Sequence, residues 1–193
     1  MITRAVIAFL LLTATTLAGA QERYQIELIL FTQPPLPDAQ GELPVKNPPP
    51  FPAEIAWPLR QPNTLGVGPE ALPSDQHRLT GAANRLRNQP GYQVIWHEAW
   101  RQSLRGPASA PTVSLPLELR SLGIEGRIRA YQSRFLHLET DIRLTDPTVW
   151  RLHESRRIRP SEVHYLDHPL LGIIVRIDPA PALEEAAEQQ SFQ

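Results

Sequence analysis

Between Ile124 and Arg159 apolar and charged side chains alternate along the chain, a pattern that antiparallel strands satisfy and helices do not. Ile124, Gly126, Ile128 and Ala130 alternate with Glu125, Arg127, Arg129 and Tyr131. Leu136, Leu138, Thr140, Ile142 and Leu144 then alternate with Phe135, His137, Glu139, Asp141 and Arg143. After a turn at Asp146-Pro147, Trp150, Leu152 and Ile158 form an apolar face, while His153, Arg157 and Arg159 point away. Side chains paired across antiparallel strands share a face, so the register must set apolar against apolar. A two-residue turn at Gln132-Ser133 would place Ile128 opposite His137 and mix the faces. A three-residue loop or a bulge that aligns Ile128 with Leu138, and Arg127 with Glu139, keeps them apart.

Arg23–Gln33 is a strand with Tyr24, Ile26, Leu28 and Leu30 on one face and Ile29 and Phe31 on the other, which suits a central strand covered on both sides. Pro34 and Pro35 end it, because proline has no N–H for the ladder. Residues 34–68 are rich in proline, with Pro48-Pro49-Pro50 at the middle, and read as an extended surface loop in which Trp57 docks on the domain. Ser74 is positioned to cap a helix, with His77 where a full capping box would have Glu or Gln. Leu79, Ala82, Ala83 and Leu86 give that helix a narrow apolar stripe, and Pro90-Gly91 stops it. Tyr92–Gln102 is a second strand, with Tyr92, Val94, Trp96, Glu98 and Trp100 on one face and His97 on the other. Thr112–Leu119 reads as a short edge strand. Leu170–Asp178 is a buried strand that closes the sheet, and the intervening Arg156–Pro169 reads as a corner.

The expected fold class is therefore α+β: a mainly antiparallel sheet of about six strands, with one helix packed on a face and a long proline-rich surface loop. With 193 residues, 41% hydrophobic and 20% charged, the chain fits a single globular domain over residues 21–178. Residues 179–193 are expected to be a disordered acidic tail. Residues 1–20 read as a signal peptide, with Arg4, the apolar run Ala5–Leu12 and Ala18-Gly19-Ala20 before a cleavage site at Gln21. The apolar run is too short for an integral membrane anchor. Export combined with zero cysteines points to a bacterial periplasm and leaves no thiol for lipidation. A net charge of −1 gives no long-range attraction for nucleic acid.

The sequence holds residues for three kinds of chemistry. His164, Asp167 and His168 have residue types found in zinc and iron sites, and His137, His153 or Glu154 would have to complete the set. The same residues serve equally as a turn fixed by Pro169. Ser155 and Ser161 lack the glycines of a nucleophile elbow, and no phosphate-binding loop is present. Glu139 and Asp141 pair across strands with Arg127 and Arg129, so catalysis is not expected and no cofactor is implied. The remaining feature is a basic face made of Arg127, Arg129, Tyr131, His137, Arg143, Arg157 and Arg159. It reads either as a solvated sheet face or as a binding surface, because guanidinium forks grip carboxylates and rings stack on sugars.

The blocks RYQIELILFTQ (23–33), YQVIWHEAWRQ (92–102), RFLHLETDIRL (134–144) and HESRRIRPSEVHYLDHPLLGIIVRI (153–177) carry a resemblance to the CsiV family of periplasmic peptidoglycan-binding proteins, named for cell-shape integrity. The resemblance implies a non-enzymatic accessory of cell-wall assembly. Its partners would be peptidoglycan and a penicillin-binding synthase or the lipoprotein activator of one. It brings no defined ligand residues, so the candidate site rests on the basic face alone. The readings from other classes are a metal-dependent hydrolase using His164, Asp167 and His168, and a protein-interaction module.

Overall fold

The computed structural model describes residues 23–34, 44–52, 56–60, 68–145 and 148–180. The expected signal peptide, residues 181–193 of the expected tail, the Asp146-Pro147 turn and parts of the proline-rich segment lie outside the described residues, whereas Pro179 and Ala180, expected in the tail, pair with Tyr24 and Arg23 as the end of a strand.

Among the described residues ten strands form two five-stranded sheets, in place of the expected single sheet of about six. They are β1 (Arg23–Thr32), β2 (Ala56–Pro58), β3 (Glu70–Ala71), β4 (Gln93–Ser103), β5 (Thr112–Ser114), β6 (Ile124–Gln132), β7 (Leu136–Thr145), β8 (Val149–Ile158), β9 (Val163–Asp167) and β10 (Leu171–Ala180). The first sheet has the order β3-β4-β1-β10-β9 and the second β2-β5-β6-β7-β8. Every pairing is antiparallel except β2 with β5. The two inner faces pack into one core. Ile26, Leu28, Trp100, Ile173, Val175 and Ile177 from the first sheet meet Ile128, Leu138, Ile142, Leu152 and Ile158 from the second. Alternation along a strand reveals that one face is buried, but not which sheet the strand joins, and so the two sheets read as one.

β1 is central, as its two apolar faces require. Tyr24, Ile26, Leu28 and Leu30 enter the inter-sheet core, whereas Ile29 and Phe31 turn outward beneath the single α-helix among the described residues, α1 (Thr80–Arg87). Leu79 and Ala83 close that smaller cluster. The helix starts later than expected, because Ser74–Gln76 is an isolated 3-10 turn. Leu79 at the N-cap position has no side chain to cap with. Glu27, from β1 beneath, accepts the N–H groups of Arg78 and Leu79 instead.

Four further strand readings are corrected. β4 carries a bulge: Leu30 pairs with Trp96 but Phe31 with Val94, leaving Ile95 as the extra residue. Tyr92 and Val94 therefore pack under the helix while Ile95, Trp96 and Trp100 face the inter-sheet core. The loop between β6 and β7 does have three residues, Ser133–Phe135, but it is centred one residue later than expected. Ile128 thus lies opposite Thr140, Arg129 opposite Glu139 and Arg127 opposite Asp141, with each residue still on its expected face. β5 is short and is followed by a 3-10 helix at Leu117–Leu122; β2, from the proline-rich segment, takes the edge beside it. Finally, β10 lies between β1 and β9 in the first sheet, and the presumed corner contains the edge strand β9. Trp57 on β2, beside Val113 of β5, is half-buried, and a Cβ on Gly68 of the same segment would meet its ring at 3.3 Å.

Candidate ligand-binding face

The outer face of the second sheet is built from cross-strand rows on β6, β7 and β8. One row is Tyr131–His137–Arg157, the next Arg129–Glu139–Ser155, then Arg127–Asp141–His153 and Glu125–Arg143–Arg151. In these four rows five arginines stand against three carboxylates, so the face is net positive although the chain is not. Arg129 and Glu139 are 2.7 Å apart, and Arg151 forks onto Asp141 at 2.7 and 3.0 Å. Burial pushes the Asp141 carboxyl up, but the Arg151 hydrogen bonds and the charges of Arg151 and Arg143 outweigh it and hold the group below its usual range. These pairs form the ladder that the alternation implies.

The face has two ends with different properties. At one end Phe51, from the proline-rich segment, lies 3.7 Å from the Arg143 guanidinium carbon and 5.0 Å from that of Arg127. Arg143 also donates to the Pro49 carbonyl and Arg127 to the Pro52 carbonyl. Arg143 is consequently only 6% exposed. Cation–π contact and main-chain acceptors thus strap residues 49–52 across this end.

At the other end the rings are open. Tyr131 and His137 stack with centroids 5.0 Å apart and planes at 11°. Tyr131 Oη and Ser155 Oγ are 3.3 Å apart, and the Arg129 guanidinium carbon is 6.0 Å from the tyrosine ring. Arg157, exposed, lies over Phe135 at 3.5 Å, and Phe135 is itself 37% exposed. A planar cation and three rings on one rim can receive both a carboxylate and the apolar face of a sugar.

Of the seven residues expected on this face, the structure groups Arg129, Tyr131, His137 and Arg157 at the open end. Arg127 and Arg143 lie beneath the strap. Arg159 lies beyond the end of β8, with its guanidinium 3.7 Å from Glu162. Sequence reasoning missed Arg151, which shares the strand parity of His153 and Arg157 and was legible on that ground. It missed Phe51 as well, because a proline-rich segment has no periodicity to reveal where it docks.

The alternative metal set is not brought together. His164 and Leu166 on β9 turn to the inter-sheet side, while Tyr165 and Asp167 turn to the helix side. The Arg159 N–H donates to His164 Nε2 at 3.0 Å. Tyr165 Oη donates to Asp167 at 2.7 Å and Gln33 Nε2 donates to it at 3.0 Å. Burial raises the Asp167 carboxyl, yet these two hydrogen bonds bring it below its usual value. Burial together with the Asp167 hydrogen bond pushes the Tyr165 phenol up. His168 is 2% exposed, with its ring accepting from the Leu170 N–H, and burial pushes its pKa down. These are the contacts of a fastened edge strand. The histidines and carboxylate that do converge among the described residues are Glu27 and His97, on the first sheet, and His77, from the turn before α1.

Compared with protein families, residues 2–150 and 145–180 match the family described as peptidoglycan-binding protein, CsiV. The chain belongs to the CsiV family. This agrees with the four sequence blocks, which span both sheets of the fold. Searches of curated proteins and of solved structures gave no match. No helix among the described residues is long and apolar enough to cross a membrane. Peptidoglycan binding, the description given to the CsiV family, is a role that an open aromatic–arginine rim has the chemistry to perform.

Proposed function

We propose that this CsiV-family chain is a non-catalytic periplasmic protein that binds peptidoglycan through the outer face of its second sheet. On this reading it supports cell-wall assembly and cell shape, beside a penicillin-binding synthase or its lipoprotein activator. The observation that carries the reading is the open end of the face. The Tyr131–His137 stack and Phe135 offer ring surfaces, and Arg129 and Arg157 flank them. Glycan rings present apolar C–H faces to aromatic side chains, and stem-peptide carboxylates suit guanidinium forks. Family membership supports peptidoglycan as the ligand.

The test is co-sedimentation of the purified protein with isolated sacculi at moderate salt. The wild type is expected in the pellet, and an Arg129→Ala/Arg157→Ala double variant in the supernatant. An Arg159→Ala control, altered outside the grouped residues, should pellet normally. The reading fails if the wild type stays in the supernatant. It fails equally if the double variant sediments like the wild type. An acidic protein partner would then be the better candidate for this face.

A further inference from the structure

The outer face of the first sheet carries a second, separate group of ionisable side chains. Glu27 on β1 is 1% exposed, and its Oε1 is 2.7 Å from Nε2 of His97 on β4. His77 enters from the turn before α1, its ring edge-on to His97 with centroids 4.8 Å apart and planes at 62°. One donor atom from each of the three lies within 4.8 Å of the other two. Nε2 of His77 is buried and has no hydrogen-bond partner. A polar nitrogen removed from water with nothing to bond is costly, and native structures seldom leave one without a reason.

We infer that Glu27, His77 and His97 form a divalent transition-metal site, with zinc the ion that the donor set fits best. Two imidazole nitrogens and one carboxylate oxygen, with no thiolate, suit zinc. Zinc bonds of about 2.0–2.2 Å place tetrahedral donors about 3.3 Å apart. The Glu27–His97 contact must therefore open slightly, and His77 must swing inward. His77 lies outside both the 3-10 turn and the helix, where such a shift is cheapest.

The supporting groups are already in place. Leu79 donates to Oε1 of Glu27 at 2.8 Å and Arg78 to Oε2, so backbone N–H groups orient the carboxylate from behind. Burial acts to raise the Glu27 carboxyl, but the His97 bond and these two N–H groups hold it below its usual value, in the charged form a metal requires. Arg176, the cross-strand neighbour of Glu27, is neutralised by Asp178 at 2.9 Å, and Arg78 reaches the same carboxylate at 2.8 Å. A bound ion would fasten the segment before α1 to β1 and β4 at the point where the helix has no side-chain cap of its own.

The test uses the purified protein after chelator treatment and dialysis. Zinc is titrated in competition with a chromophoric chelator, and cobalt(II) is followed by its visible absorption. The expected result is one ion per chain, a tetrahedral cobalt spectrum and a Tm that rises with added zinc. His77→Ala should weaken zinc binding at least about tenfold, whereas His164→Ala should bind like the wild type. Circular dichroism of both variants should match the wild type. The inference is overturned if no stoichiometric uptake occurs. It is also overturned if a folded His77→Ala titrates as the wild type does, in which case Glu27 serves only as an acceptor for the helix entry.

Discussion

Replacing Glu27 by alanine tests how the helix is held to the first sheet. The carboxylate accepts three hydrogen bonds: from Arg78 N, from Leu79 N at 2.8 Å and from His97 Nε2 at 2.7 Å. The alanine variant leaves one buried donor, Leu79 N, and two part-buried ones, Arg78 N and His97 Nε2, without their acceptor, at about 1–3 kcal/mol each. Losing the carboxylate's own desolvation cost offsets part of that total. A loss of about 3–5 kcal/mol is therefore expected, a large share of the ~5–15 kcal/mol that holds a domain together. Glu27→Gln keeps the shape and one acceptor oxygen and should cost less. The assay is urea unfolding followed by the fluorescence of the buried Trp96 and Trp100, with chelator present so that no metal contributes. The midpoint should fall with an unchanged m-value. The pH dependence gives an independent check. Because folding lowers the Glu27 pKa, its contribution is fully present above the unfolded-state value and fades as pH falls through the folded-state value. The acid limb of the wild-type stability profile should therefore flatten in Glu27→Gln. A loss below about 1 kcal/mol in the alanine variant would refute the clamp, since a single ordinary hydrogen bond would account for it.

Two further outcomes can be checked directly. Gly123 has φ of 71° after the 3-10 helix, and an added Cβ would lie 2.4 Å from the Thr145 carbonyl oxygen, so Gly123→Ala should cost about 2 kcal/mol or more by urea titration. Phe51→Ala removes the ring over Arg143 and Arg127, so the strap should be cleaved faster in limited proteolysis, and sacculus retention should rise as the two arginines are uncovered.

The sequence was most informative where local pattern and tertiary role coincide. β1 shows its central position through apolar groups on both faces, and β6 to β8 keep their inward and outward sets even though the β6–β7 register differs from expectation. The bulge at Ile95 escaped notice because one extra residue leaves no mark in composition while reversing every side chain before it. The division into two sheets was invisible for a different reason. The apolar residues of β10 prove burial, but its neighbour β1 lies at the other end of the domain in sequence. The basic face was legible from the parity of its arginines. The strap over half of it was not, since Phe51 is placed by a cation–π contact with β6 and β7 and not by any pattern of its own. Glu27, His77 and His97 escaped notice because they come from two strands and a turn that only the fold brings together.

The pairing of β1 with β10 has a topological consequence. Arg23 lies opposite Ala180, so the described domain opens and closes its chain at one point in the middle of a sheet. The second sheet grows strand by strand along the β5–β8 meander, with short loop closures and little entropy to overcome. The first sheet cannot be completed that way, because the strand made first must wait for the strand made last. A truncation that reaches β10 therefore removes the neighbour of β1 and strands β9 with it, so the loss falls on the centre of the sheet and not on its edge.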